Sequence, residues 1–294
     1  MSVALSNTQQ PEHALYRFDR VHVALPGPDA ITQSHVDQFW RDGFLAVQNV
    51  FTPAEVDAAK AGLSDLIAGR NPAFNDVQLE ALPSGTLKAE DVPADQREQY
   101  VRKLMHFAWA DARLLAMRDH PVMMAIVRRL LGEPATISQE MALLKPAHHG
   151  TEKPWHQDNA YFLYEPLDRV MGTWTALDDA TADNGCMHMI PGSHTQGPRP
   201  HLHLRDCQLP DASVDIQRDT IVPLSPGGVL FFLGLVHHGT PPNRSPNRRR
   251  ALQFHYIGAS CRKLDPAKHA ELFHDSEGYA GCVYAGDLKP RRVQ

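Results

Sequence analysis

The run Trp155-His156-Gln157-Asp158 and the paired histidines in Val236-His237-His238-Gly239-Thr240 have the residue types and spacing to hold a metal ion. In an extended strand alternate side chains share a face, so His156 and Asp158 point to one side while Trp155 and Gln157 point to the other. One imidazole and one carboxylate then converge on one point. A histidine delivered by a distant strand completes two histidines and one carboxylate, the facial set that holds non-haem Fe(II) and leaves positions open for reactants. His-x-Asp alone is a weak signal, because a polar strand end at the surface reads the same way. With 17 histidines in 294 residues, position and company have to do the selecting.

Such a site needs strands that bring distant segments together, and these follow Pro134. Apolar stretches at 136–145, 155–162, 170–177, 186–190, 220–224, 229–233 and 249–260 are separated by Asp183-Asn184-Gly185, Pro191-Gly192, Pro226-Gly227-Gly228 and Pro241-Pro242-Asn243. Many short strands with turns between them imply a sandwich or barrel, and jelly rolls and cupins are the forms that commonly hold a ligand in the mouth. Before Pro134 the pattern is mainly helical. Residues 31–42 place Val36, Phe39 and Trp40 on one face ahead of Gly43, and Phe44 to Val50 reads as a strand. Thr52-Pro53-Ala54-Glu55 is a capping box that opens a helix whose buried stripe is Val56, Ala59, Leu63, Leu66 and Ile67. Helical patterns return at 98–107, at 110–118 and from Pro121 to Gly132.

The polar segment 70–97, broken by Pro72, Pro83 and Pro93, is too long for a simple connection and has the character of a lid or binding segment, or else of a surface excursion. Residues 1–30 read as an extended arm. The expectation is one domain over 1–294: a mainly β fold whose jelly-roll core at about 134–260 carries flanking helices at about 31–132 and a C-terminal extension at 261–294.

Bulk properties narrow the function classes. A formal charge of −5 is too mild to suggest nucleic acid or an anionic membrane surface as partner, and 43% hydrophobic residues suffice for a substantial core. The apolar run from Val229 to Val236 is too short to span a bilayer, and Met1 to Gln10 does not read as a signal peptide. Cys186, Cys207, Cys261 and Cys282 show no C-x-x-C spacing, which argues against structural zinc and a secreted disulfide scaffold and points to a reducing cytoplasm.

Several ordered motifs together resemble the phytanoyl-CoA dioxygenase family. They are Trp155-His156-Gln157-Asp158, Thr173-Trp174-Thr175-Ala176-Leu177, Asn184-Gly185-Cys186, Ile190-Pro191-Gly192-Ser193-His194 and His238-Gly239-Thr240 followed by Asn243 and Arg249; the likeness covers roughly residues 35–260. The family consists of Fe(II)- and 2-oxoglutarate-dependent oxygenases built on a double-stranded β-helix. The resemblance implies that His156, Asp158 and His238 bind iron, since the family places its last ligand directly before a Gly-Ser or Gly-Thr pair; His237 then falls on the opposite face. Asp158 implies oxygenation, because related halogenases carry a small residue there so that chloride can bind.

The same resemblance assigns the distal carboxylate of 2-oxoglutarate to Arg249, in preference to Arg248 and Arg250, with Thr240 beside it. Arginine suits this task because its planar fork pairs with both carboxylate oxygens. Trp174 matches a tryptophan beside iron and cosubstrate, Lys103 a lysine that reaches 2-oxoglutarate in some relatives, and Gln139 and Met141 match pocket positions. Asn184-Gly185 and Pro191-Gly192-Ser193-His194 read as turn residues. His148, His149, Lys153 and Asn159 are candidates for substrate contact. The implied activity is O2-dependent oxidation of a C–H bond in a small molecule, with specificity on the loops 70–97, 146–154, 159–169 and 197–218. A non-redox cupin-like hydrolase or isomerase, or a sensor that retains the pocket, is the alternative, and Arg249 at the family spacing argues against the first.

Overall fold

In the computed structural model, which describes residues 15–82, 85, 86, 88–274 and 282, the strands Val170–Ala176 and Val229–Leu233 are buried at every position. A strand buried on both faces needs a layer on each side. Here one layer is a set of helices and the other a second sheet.

Eleven strands make the two sheets: β1 (Phe44–Val47), β2 (Val77–Leu79), β3 (Val101–Met105), β4 (Ala135–Lys145), β5 (Lys153–His156), β6 (Val170–Ala176), β7 (Met187–Met189), β8 (Thr220–Val222), β9 (Val229–Leu233), β10 (His238–Thr240) and β11 (Arg249–Gly258). The larger sheet has the order β1-β9-β6-β11-β4-β3-β2 and the smaller β8-β7-β10-β5. All their pairings are antiparallel. From β4 onward the chain passes back and forth between the sheets, with only β7 and β8 consecutive in one of them. That is the winding of a double-stranded β-helix, which the family resemblance implies, and a form of the jelly roll that the turn-punctuated strands suggest.

The helices α1 (Gln33–Asp42), α2 (Pro53–Ile67), α3 (Ala112–Arg118) and α4 (Pro121–Leu131) share one apolar cluster with the larger sheet. Local signals place their ends. Gly43 takes the left-handed conformation (φ 85°) that stops α1, and the Thr52 and Glu55 side chains cap each other's backbone at the start of α2. No helix among the described residues is long and apolar enough to cross a membrane.

Four expectations need correction. Residues 98–107 are not helical: a 3-10 turn at Arg97–Gln99 leads into β3, which pairs Lys103 with Leu143 and Met105 with Met141. The apolar spacing at Val101, Leu104 and Met105 suits a helix, but the edge of the long strand β4 requires a partner, and that pairing overrides local periodicity. The segment 70–97 is not only a loop either, since it supplies β2 beyond β3. The strand expected at 155–162 stops at His156 and turns into a 3-10 helix, Asp158–Tyr161. Finally, Cys207 and Cys282 are paired in a disulfide, with Cα atoms 5.6 Å apart, which their spacing did not announce. Residues 1–14 of the expected arm and most of the C-terminal extension lie outside the described residues.

One glycine in β6 bears directly on the site. Gly172 pairs with Phe232 of β9, and a Cβ at Gly172 would overlap the Phe232 ring. The freed space lets that ring lie 4.8 Å from the ring of His238. Gly172→Ala is therefore expected to destabilise the protein by about 1–3 kcal/mol through overpacking. The urea midpoint measures it, and an unchanged midpoint would contradict this packing.

Candidate active site

Strand pairing assembles the centre. His156 on β5 and His238 on β10 are direct register partners, and their rings lie 4.1 Å apart. Although β5 ends at His156, Gln157 is still extended (φ −113°, ψ 129°), so the alternation carries across it and Asp158 faces the same side as His156. The opposite face is tied down. Trp155 Nε1 donates to Leu15 O at 2.8 Å, and Gln157 Nε2 donates to Leu235 O at 2.8 Å and to Gly197 O at 3.0 Å.

Each imidazole is oriented by its own backbone. His156 Nδ1 lies 2.8 Å from Pro154 O and His238 Nδ1 lies 2.9 Å from Val236 O. A carbonyl can only accept, so both Nδ1 atoms carry the proton and both Nε2 lone pairs face inward. There they meet Asp158 Oδ1 at 3.4 and 3.6 Å, and the three ligand atoms lie within 4.8 Å of one another. Burial pushes His156 down to about 4, which keeps it neutral. Burial alone would raise the Asp158 carboxyl, but His255, His238 and His156 together hold it well below the usual carboxylate range. Two imidazoles and a carboxylate, all buried, are a donor set suited to a divalent transition metal.

The second carboxylate oxygen is held from the other sheet. His255 Nε2 donates to Asp158 Oδ2 at 2.7 Å, and Gln253 Nε2 approaches the same atom at 3.4 Å. Sequence reading passed over His255. The signal was present: Arg249, Ala251, Gln253 and His255 alternate along β11, so one face of that strand carries all of them toward the centre.

Arg249 opens that face. It is buried and donates from Nη1 to Leu143 O at 3.3 Å; its Nε has no partner, and its guanidinium lies 5.1 Å from the Trp174 ring centre. Trp174 Nε1 is likewise buried without a partner. Burial lowers Arg249 to about 10, so it remains charged at neutral pH. Its neighbours are differently placed: Arg248 pairs with Glu98, and Arg250 grips Asp178 through two nitrogens at 2.9 Å. Among the described residues no carboxylate pairs with Arg249. Two orphaned donors and an uncompensated cation in a buried pocket fit an incoming carboxylate.

A cavity of about 360 Å³ joins these groups. His156, Asp158 and His238 line it together with Arg249, Thr240 and Trp174, and Lys103, Gln139 and Met141 complete the wall supplied by the larger sheet. Each loop expected to set specificity contributes: Gln78 and Leu79, then Thr151 and Glu152, then Tyr161 and Phe162, then Arg205 and Asp206. Other candidates lie elsewhere. His237 is buried on the far side with its backbone N–H donating to Ser193 Oγ at 2.8 Å, and burial pushes it down to about 4. His149 Nε2 meets Gln99 O at 2.9 Å, Asn159 holds Leu167 O, and His148 bonds through its backbone to Ser245; none of the three lines the cavity. Asn184 makes a turn, as expected, by accepting from Thr181 N and donating to Asp179 O.

Two substitutions test the centre. His238→Ala should abolish binding of Mn(II) or Fe(II) in calorimetry while His237→Ala leaves it intact, and the reverse result would overturn the ligand choice. His255→Leu should weaken metal affinity by about 10- to 100-fold, the usual effect of removing a group that orients a ligand. Unchanged affinity would show that the carboxylate needs no support from β11.

Comparison with known proteins agrees with this geometry. A family model described as phytanoyl-CoA dioxygenase (PhyH) matches residues 39–251. Phytanoyl-CoA dioxygenase domain-containing protein 1 of Mus musculus is 27% identical over 271 residues, covering 80% of this chain and 93% of that one. EvdO2 from Micromonospora carbonacea var. aurantiaca, solved in complex with 2-oxoglutarate, is 25% identical with a TM-score of 0.62 and covers 86% of this chain and 100% of that one. SnoK, a non-haem α-ketoglutarate-dependent carbocyclase from nogalamycin biosynthesis, shares the fold at 18% identity with a TM-score of 0.64, covering 91% of this chain and 95% of that one. With its family match running from the first helix to the strand that carries Arg249, the chain belongs to the phytanoyl-CoA dioxygenase family.

Proposed function

We propose that this protein is an Fe(II)- and 2-oxoglutarate-dependent dioxygenase that hydroxylates an unactivated C–H bond of a small-molecule metabolite, with succinate and carbon dioxide as co-products. The general type, an iron- and 2-oxoglutarate-dependent oxygenase, follows from the family. The observation that carries the finer reading is that the inward-facing His156 Nε2, Asp158 Oδ1 and His238 Nε2 share one cavity with the unpaired Arg249.

In this reading His156, Asp158 and His238 hold the iron. Arg249 and Thr240 take the distal carboxylate of 2-oxoglutarate, Trp174 walls it, and Lys103 approaches from β3. Gln139 and Met141 complete the floor. Iron and cosubstrate, once bound, supply with O2 the oxidising power to cleave a C–H bond. The chain's own part is to orient and to exclude. The backbone-tethered imidazoles fix the ligand directions, and Asp158 keeps a carboxylate where halogenation would need the position free. Burial of all three ligands keeps bulk water from the reacting centre. A cavity of about 360 Å³ lies near the lower end for ligand pockets, which supports a small substrate.

The experiment is anaerobic reconstitution with Fe(II) and 2-oxoglutarate followed by admission of oxygen. Succinate is the expected product, and its absence both with and without candidate substrates would sink the oxygenase reading. Arg249→Gln is expected to weaken 2-oxoglutarate binding by about two orders of magnitude, because it leaves a buried carboxylate without its cation. Calorimetry on the Mn(II)-loaded protein measures this.

A further inference from the structure

Toward the open end of the cavity three cations face a single carboxylate. Asp206, on the segment after the first strand of a short hairpin, lies 2.8 Å from Lys153 Nζ and 3.4 Å from Arg102 Nη2. Lys153 also donates to the Tyr161 hydroxyl at 2.7 Å. Lys103, half-buried beside them, makes no hydrogen bond or ion pair among the described residues. Burial, with Lys153 adding to it, lowers Lys103 to about 8, so it is still mostly charged at neutral pH. The remaining charges nearby are engaged elsewhere. Arg205 is held between Glu152 and Asp211, Lys145 donates to the carbonyls of Thr151 and Pro241, and Asp76 stands 41% exposed near His106.

Partly burying cations without matching carboxylates opposes folding. An arrangement kept at that cost, on the wall of a ligand cavity, calls for a negative partner from outside. Arg102 has the capacity to take one, since it offers Asp206 one long contact and leaves the rest of its planar fork open. The side chains of Arg102, Lys153 and Asp206 are about a third exposed, at 37%, 30% and 31%, whereas Arg249 is buried. The two cationic regions are thus distinct in depth.

We infer that the outer part of the cavity is a subsite for an anionic group of the substrate, a carboxylate or a phosphate, received by Arg102 with Lys153 behind it. Leu79, Met105, Met141, Leu143 and Phe162 line the same cavity and offer apolar contact to a short carbon skeleton that runs from this head toward the iron ligands. The substrate class is therefore a small organic acid or phosphate monoester with an apolar body. This rests on the oxygenase reading, in which Arg249 takes the cosubstrate. In that reading Lys103 serves the cosubstrate, and Arg102 and Lys153 still share Asp206 as their one carboxylate.

The test uses the full chain loaded with Mn(II) and saturating 2-oxoglutarate without oxygen. Hexanoate, butyl phosphate and 1-hexanol are added in turn, and their proton relaxation by the metal is followed as a function of concentration. Saturable relaxation of an anionic probe, with hexanol unaffected, is the expected result, and whichever of the two anions binds identifies the head group. Arg102→Gln should weaken that binding about tenfold. Asp206→Asn should tighten it about threefold, because it removes the competing carboxylate. Opposite shifts cannot come from simple structural damage, so loss of binding in both variants would overturn the subsite. So would failure of both anions to bind, or their displacement by 2-oxoglutarate. Binding of 2-oxoglutarate is read in the same sample: its presence without a second anion sinks this inference alone, and its absence sinks the oxygenase reading and this inference with it.

Discussion

The buried carboxylate of Asp158 is the interaction on which the rest depends. One oxygen faces the Nε2 atoms of His156 and His238, and the other receives a hydrogen bond from His255. The first three residues come from the smaller sheet and its exit, the fourth from β11 of the larger one. A negative charge taken out of water is costly unless every oxygen is satisfied. Meeting that demand here requires both sheets at a fixed separation, so the centre specifies the roll as much as the roll presents the centre. His156 and His238 obey the same rule, each with Nδ1 committed to a carbonyl two residues back. Little is left to adjust when a metal enters.

Electrostatics then divides the cavity by depth. At the centre sits a carboxylate among imidazoles, to one side a buried arginine without an acid, and nearer solvent a cluster of cations around Asp206. Opposite charges this close would pair if the chain allowed it. They are kept apart because they project from strands whose register is set elsewhere: Arg249 by its pairing with Lys145, and Lys103 by its pairing with Leu143. Backbone pairing holds side chains in positions that their own charges would not choose, which is how a folded chain keeps a binding site ready before the ligand arrives.

Much of this was legible in the sequence where the cause is local. The capping box at Thr52-Glu55, the stop at Gly43 and the shared face of His156 and Asp158 depend on residues within a few positions of each other. The inward placement of Arg249 was legible through its motif, and its neighbours Arg248 and Arg250 do turn to other partners. What escaped depends on distant partners. β3 looked helical because the demand of the β4 edge is invisible from residues 98–107. The 3-10 turn after His156 is set partly by Gly234 O, which accepts from Asn159 N, and the Cys207–Cys282 bond closes a separation of 75 residues. His255 escaped for a different reason. A histidine on an apolar strand is most often a core residue, and only Asp158 opposite gives it a task.

The fold leaves the outcome of the reaction to the walls. SnoK shares this architecture and is a carbocyclase, so the same core supports more than one fate for an activated substrate. Which fate follows depends on which carbon is presented and whether a second group of the substrate lies close enough to intervene. In this chain the cavity wall away from the metal-ligand candidates is made of four loop segments together with β2, at the edge of the larger sheet, and its neighbour β3, elements that local sequence patterns place poorly. His238 and Arg249 sit on β10 and β11, each paired on both sides, and His156 on β5 with β10 as its one neighbour, whereas the loops have no strand partner and β2 has only β3. Loops and the outermost strand β2, which carry none of the three ligand candidates, can change without disturbing the centre. That division of labour allows proteins of one fold to differ in the reaction they carry out, and the cations at the mouth of this cavity set this chain apart from a purely apolar pocket.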